Sequence, residues 1–175
     1  MSRSSSPRCV IVMGVSGSGK TSVGRAMAQQ WGDQFIESDE LHTAGDIHKM
    51  AAGIPLNDDD RWPWLRTIGD QLRAAVQANR STITACSALK RDYRDLLREY
   101  APSAFFVELD GPIDVIRDRV ISRHHEFMPP SLLESQYAAL EPLGTDEFGM
   151  RVDVTLSVEE IVTLVERTLA AQPLP

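Results

Sequence analysis

Ten residues near the start of the chain, "MGVSGSGKTS" from Met13 to Ser22, have the types and spacing to hold a phosphate chain. Gly14 to Thr21 fits G-x-x-x-x-G-K-[ST] without a mismatch, with an apolar run before it and an amphipathic run after it. Glycines at 14, 17 and 19 let the backbone N–H groups of Gly14, Val15, Ser16, Gly17, Ser18 and Gly19 converge on phosphate oxygens. A helix that opens with Lys20, Thr21 and Ser22 adds the positive end of its dipole. Lys20 has the length to reach the β and γ phosphates, and the Thr21 hydroxyl can ligate Mg²⁺. The expected ligand is therefore a nucleoside triphosphate with its magnesium.

A second set of residues could serve an acceptor. "ESDELH" closes the second apolar run and places Glu37, Asp39 and His42 at one sheet edge. Asp39 could hold Mg²⁺ through water, orient and deprotonate a hydroxyl, or simply cap a helix. In "GIPLNDDDRWPWL" (53–65), Asn57 to Asp60 read as a capping run, whereas Arg61 stands beside two tryptophans. A guanidinium in that setting suits the planar carboxylate of a small acid. "CSALKRDYRDLLR" (86–98) then offers Ser87 as a cap, with Lys90 and Arg91 in the first helical turn. Cations there oppose the helix dipole, a conflict that an anion site would produce unless the face is simply solvated.

These residues need a frame. Strand candidates are "CVIVM" (9–13), "QFIES" (34–38), "STITAC" (81–86), "AFFVELD" (104–110) and "RVDVTL" (151–156). Between them the apolar period is helical: Val23, Ala26, Met27 and Trp31, with Gly32 as a stop; Trp64, Ile68, Leu72 and Val76; Leu89, Tyr93, Leu96, Leu97 and Tyr100. Ser157 with Glu160 and Ser131 with Glu134 have capping-box spacing. Strands alternating with helices predict an α/β fold: a three-layer sandwich whose parallel sheet is covered on both faces by right-handed crossovers. Residues 124–150, rich in Pro, Gly, His and acid, read as a mobile loop with one short helix, and the lid is expected at about 124–147.

The chain has 175 residues, 42% of them apolar, which suits a single domain, expected at 8–172 after a disordered tail at 1–7. A net charge of -7 repels nucleic acid on average, so none is expected as a partner. Cys9 and Cys86 lack metal-type spacing and read as buried thiols in a reducing compartment. There is no signal-like h-region and no apolar run near the ~20 residues that span a bilayer, so a cytoplasmic location without membrane contact is expected.

The N-K-x-D base reader of GTPases and the L-S-G-G-Q signature of transporter ATPases do not occur. What remains is a small kinase, in which a compact sheet binds ATP and a lid closes over a second substrate. Shikimate or a nucleoside monophosphate are rival acceptors, and a nucleotide-binding regulator that hydrolyses ATP slowly is the rival of another class.

With those pieces together, the sequence resembles the small P-loop gluconate kinases (gluconokinases), related to the shikimate kinases. "GVSGSGKT", "SDELH", "KMAAGIPLNDDDRWPWL", "CSALKRDYRDLLR" and "FMPPSLLESQYAALEPL" carry the likeness, in order, over residues 9–156. The resemblance implies phosphorylation of D-gluconate at its 6-hydroxyl by ATP, a sheet of order 2-3-1-4-5, and a homodimer. It implies that Asp39 activates the acceptor, that His42, Arg61, Lys90 and Arg91 line the sugar-acid pocket, and that Gln136 faces it from the lid. Arg119 and Arg123 would bring cations to the transferring phosphoryl. The chain departs from the family pattern at two places: Glu37-Ser38-Asp39 stands for Asp-Gly-Asp, and His124-His125-Glu126-Phe127 for Lys-Gly-His-Phe. A lid histidine contacting the substrate would then be His125.

Overall fold

The computed structural model describes residues 7–122 and 129–172. Strand β1 (Cys9–Met13) is buried at all five positions, as the middle of a parallel sheet must be when both faces are covered. β2 (Gln34–Glu37) and β3 (Thr82–Ala85) lie to one side, β4 (Phe105–Asp110) and β5 (Gly149–Asp153) to the other. Every pairing is parallel and the order is β2-β3-β1-β4-β5, as the family resemblance implies.

The two-residue period of β1 separates two cores. Val10 and Val12 pack with α1 (Lys20–Trp31), α5 (Ile113–Ser122), α6 (Pro130–Ala139) and α7 (Val158–Ala171) through Val23, Met27, Ile116, Leu133, Ile161 and Val165. Cys9, Ile11 and Met13 face the other way, onto α3 (Asp58–Gln77) and α4 (Arg91–Tyr100), through Trp64, Leu65, Ile68, Leu72, Tyr93 and Leu97. Helices α3 and α4 approach closely at Gly69, where a Cβ would stand 2.5 Å from the Tyr100 ring. A short α2 (Ala44–Ala51) follows a 3₁₀ turn, Ser38–Leu41. Both cysteines are buried and free, and burial pushes Cys9 up to about 11 and Cys86 up to about 12.

Local chemistry moves some expected boundaries. The fifth strand, expected at 151–156, ends at Asp153, whose carboxylate accepts from the Thr155 N–H at 2.8 Å and its hydroxyl at 2.7 Å. That turn takes the chain out of the sheet. The Ser157–Glu160 capping box forms, with reciprocal bonds of 3.2 and 2.8 Å. The Ser131–Glu134 box does not, because α6 already starts at Pro130, where a missing N–H costs nothing. Glu134 instead approaches Arg117, at 3.6 Å. The Asn57–Asp60 run caps α3 reciprocally, at 2.9 and 3.0 Å, and Thr43 with Asp46 caps α2 in the same way.

Candidate active site

The phosphate-binding turn runs from the end of β1 into α1. Gly14 has φ 142°, and a Cβ there would meet the Leu109 carbonyl at 2.8 Å. Gly17, at φ 78°, would drive a Cβ to 2.5 Å from the Val120 side chain of α5. Glycine is thus required at both positions by conformation and by space together. Gly19 caps α1 without any side-chain bond, so nothing of its own covers the helix end aimed at the turn. The Lys20 ammonium donates to the Val15 carbonyl at 3.0 Å, curled back over the turn, and Ser22 follows on the exposed side of α1.

The Thr21 hydroxyl donates to a Glu37 carboxylate oxygen at 2.7 Å. Burial pushes the Glu37 carboxyl up, and Asp39 nearby adds to that, while the Thr21 bond and Lys20 work against it. The donors around Thr21 are hard oxygens of the kind magnesium takes. Among the described residues no three His, Cys, Asp or Glu side chains gather into a metal cluster.

Beside the turn, at the carboxyl ends of β1, β2 and β3, lies a cavity of about 330 Å³. Open parallel sheets bind their ligands at this edge. Ser16, Lys20, Asp39, His42, Arg61, Ser87 and Gln136 all line it, so residues spread over 121 positions of sequence (16 to 136) meet at one place. Asp39 sits in the 3₁₀ turn, exposed, and that turn has no side-chain cap. The capping reading of Asp39 is thereby excluded. His42 stacks on Trp64 with ring centres 4.3 Å apart, and its side chain is 4% exposed. Burial pulls the imidazole below its ordinary range, more strongly than Asp39 and Asp46 raise it, so it faces the cavity neutral at pH 7. Trp64 is itself fixed by donating to the Ser38 carbonyl at 2.8 Å.

The expected cations divide in space. Arg61 lines this inner cavity and an adjoining outer one of about 430 Å³, and among the described residues it makes no ion pair with a carboxylate. Lys90 lines only the outer cavity and is matched by Asp58, at 2.8 and 3.0 Å. Tyr93 donates to the same carboxylate, and the bonds from Lys90 and Tyr93 hold Asp58 below its ordinary range. Arg91 lines neither cavity. Its guanidinium donates to both Asp146 oxygens, at 3.0 and 2.9 Å, and its backbone N–H is capped by the Glu141 carboxylate at 2.7 Å. The conflict of basic residues with the α4 dipole is settled by acids from a distant segment. Arg119 also lies away from both cavities, donating to the Val154 carbonyl at 2.7 Å. Arg123 and His125 fall outside the described residues.

Asp58, which the sequence reads only as part of a capping run, is the partner of Lys90, and the sequence does not single out Arg94 or Glu147 at all. Arg94 is fully buried and grips Glu147 with two bonds of 2.7 Å. Its third nitrogen donates to the carbonyls of Ala88 (3.2 Å), Leu89 (3.3 Å) and Glu141 (3.0 Å). It thereby holds the loop carrying Ser87 and Lys90, in which Ala88 takes a left-handed φ of 41°. Arg98 adds a 2.7 Å bond to Glu147. The available signal is the four-residue spacing of Arg94 and Arg98, which puts two cations on one face of α4.

The sheet order, the G-x-x-x-x-G-K-T turn and the cavity beside it define a small P-loop kinase. A family profile described as "AAA domain" matches residues 9–143. The gluconokinase of Gluconobacter oxydans is 46% identical over 83% of this chain and 82% of its own length. The crystal structure of a gluconokinase from Sinorhizobium meliloti superposes with a TM-score of 0.86 at 46% identity, covering 95% of this chain and 94% of that one. A sugar kinase from Janibacter sp. HTCC2649 does so with a TM-score of 0.90 at 47% identity, over 95% and 96%. The chain belongs to the gluconokinase family.

Proposed function

We propose that the protein transfers the γ-phosphoryl group of ATP to the 6-hydroxyl of D-gluconate, giving 6-phospho-D-gluconate and ADP. The observation that carries this is the meeting of Lys20, Asp39, His42 and Arg61 on one cavity next to the phosphate turn. Phosphoryl transfer asks a protein for in-line positioning and charge neutralisation more than for covalent help. In this reading the glycine turn, apart from the Ser16 N–H held by Gln136, and the start of α1 cradle the triphosphate, and Lys20 leaves the Val15 carbonyl for the β and γ phosphates. Arg61 takes the carboxylate of the sugar acid, neutral His42 bonds a hydroxyl, and Asp39 orients the 6-hydroxyl and accepts its proton. Lys90, held by Asp58, borders the acid end through the outer cavity. Arg91 belongs to the frame, and Arg119, bonded to the Val154 carbonyl in the β5–α7 connection, would have to leave it to bring its charge to the transferring phosphoryl.

Thr21, Glu37 and Asp39 are the residues suited to holding magnesium, directly or through water, and the ion would offset charge on the β and γ phosphates. Two free, buried thiols suit a reducing cytoplasm. The homodimer rests on the family resemblance and is tested by light scattering of the eluted protein.

An ADP-release assay over gluconate, shikimate, AMP and CMP tests the assignment. Release that depends on gluconate alone supports it. Release driven by another acceptor, with gluconate inert, leaves only the nucleotide half of the site standing.

A further inference from the structure

Gln136 joins the two halves of the site. Its side-chain oxygen accepts the Ser16 backbone N–H at 2.6 Å, tying helix α6 to the tip of the phosphate turn. The residue is 6% exposed and lines both the inner and the outer cavity. Its neighbour Tyr137 donates to the Gly111 carbonyl at 3.2 Å, and Leu132 and Leu133 of the same helix are buried. Helix α6 therefore reaches the turn as a packed wall, and the Gln136–Ser16 bond closes the seam between that wall and the place where a transferring phosphoryl must pass.

We propose that this seam decides whether the phosphoryl goes to sugar or to water, with Gln136 as the positioning residue that shuts solvent out. The inference rests on the function proposed above. In the productive step the sugar O6 bonds to the γ phosphorus, the bond to the β–γ bridging oxygen breaks, ADP leaves, and the hydroxyl proton passes to Asp39. With water in the place of O6 the same bonds form and break, and the products are ADP and inorganic phosphate. Both reactions need the cradle and Lys20; beyond the contacts of the sugar itself with Asp39 and Arg61, they differ in which hydroxyl reaches the γ phosphorus.

The test is the leak ratio of the full chain: ADP formed without gluconate divided by ADP formed with saturating gluconate, each corrected for enzyme-free controls. Gln136→Leu keeps the bulk and removes the acceptor, Gln136→Ala removes both, and Gln136→Glu keeps an oxygen that can take the Ser16 N–H. The ratio is expected to rise about tenfold in the first two and to stay within about twofold of wild type in Gln136→Glu, although that variant turns over more slowly beside the phosphates. An unchanged ratio in Gln136→Leu and Gln136→Ala overturns the proposal. An equal rise in all three also overturns it, because the Ser16 bond would then not be the cause. If wild-type enzyme shows no gluconate-dependent ADP at all, it is the proposed function that fails, and the two outcomes are distinct.

Discussion

Two side chains divide the proposed chemistry at the acceptor end, and substitution separates their roles. Asp39 is exposed to the cavity and tied up in no cap, so Asp39→Asn should cut kcat by about 10²-fold or more while the ATP Kd stays within about twofold. Stopped-flow nucleotide binding alongside steady-state rates reads both quantities. Arg61 has no carboxylate partner to lose among the described residues, so Arg61→Met should act on the substrate. Its gluconate KM should rise about 10- to 100-fold, the worth of a charge-assisted pair, with a smaller change in kcat. Lys20, Asp39, His42 and Arg61 are legible in residue types and share one cavity, which Gln136, implied by the family resemblance alone, also lines. Arg91 shows where such reading stops. Its type and its place at a helix start both suggested an anion ligand, and the ligand is Asp146, 55 residues on in the same chain.

At the scale of elements, period and capping carry most of the information. The unbroken apolar run of β1 and the helical stripes of α3 and α4 appear in the chain because β1 is buried on both faces and each helix on one. The Ser157–Glu160 box is local enough to be read directly, and Ser157→Ala should cost about 1 kcal/mol, a fall in Tm of about 2–4 °C by calorimetry. The ends of elements are harder, because competing local bonds set them. Pro130 starts α6 before Ser131 can cap it, and Asp153 turns β5 out of the sheet before Leu156. The stretch expected as a lid has the same character. Its carboxyl half is bonded to the body, through Glu141 N–H to Leu89 (2.8 Å), Leu143 N–H to Glu108 (2.8 Å) and Glu147 to Arg94. Pro, Gly and acid content do not disclose such anchors, because their partners lie far away in sequence.

At the scale of the whole molecule, one buried charge network contributes strongly to the response to acid. Burial works to raise the Glu147 carboxyl, but bonds from Arg94, the Gly144 N–H and Arg98 overcome it and hold the group at about 2. An unfolded Glu147 takes its proton near the ordinary value of 4.5, so the unfolded state binds protons first as pH falls. The stability from this group is therefore complete above about pH 5.5 and is lost progressively as pH drops through 4.5 toward 2. Glu147→Gln leaves buried Arg94 without its counter-charge and should cost about 3–5 kcal/mol at pH 7, with a flatter acid limb in urea melts from pH 7 to pH 3. The same network holds the loop bearing Ser87 and Lys90, so fold stability and site geometry share a support. Above all of this stands the claim that a triphosphate and a six-carbon sugar acid meet end to end across Lys20 and Asp39. Phosphorus NMR of the product made from gluconate and MgATP tests that claim most directly. A primary phosphomonoester, its signal split to a triplet by two protons on one carbon and formed in equal amount with ADP, is the result predicted. A doublet from a secondary position, or free phosphate with ADP and no new ester, would contradict it.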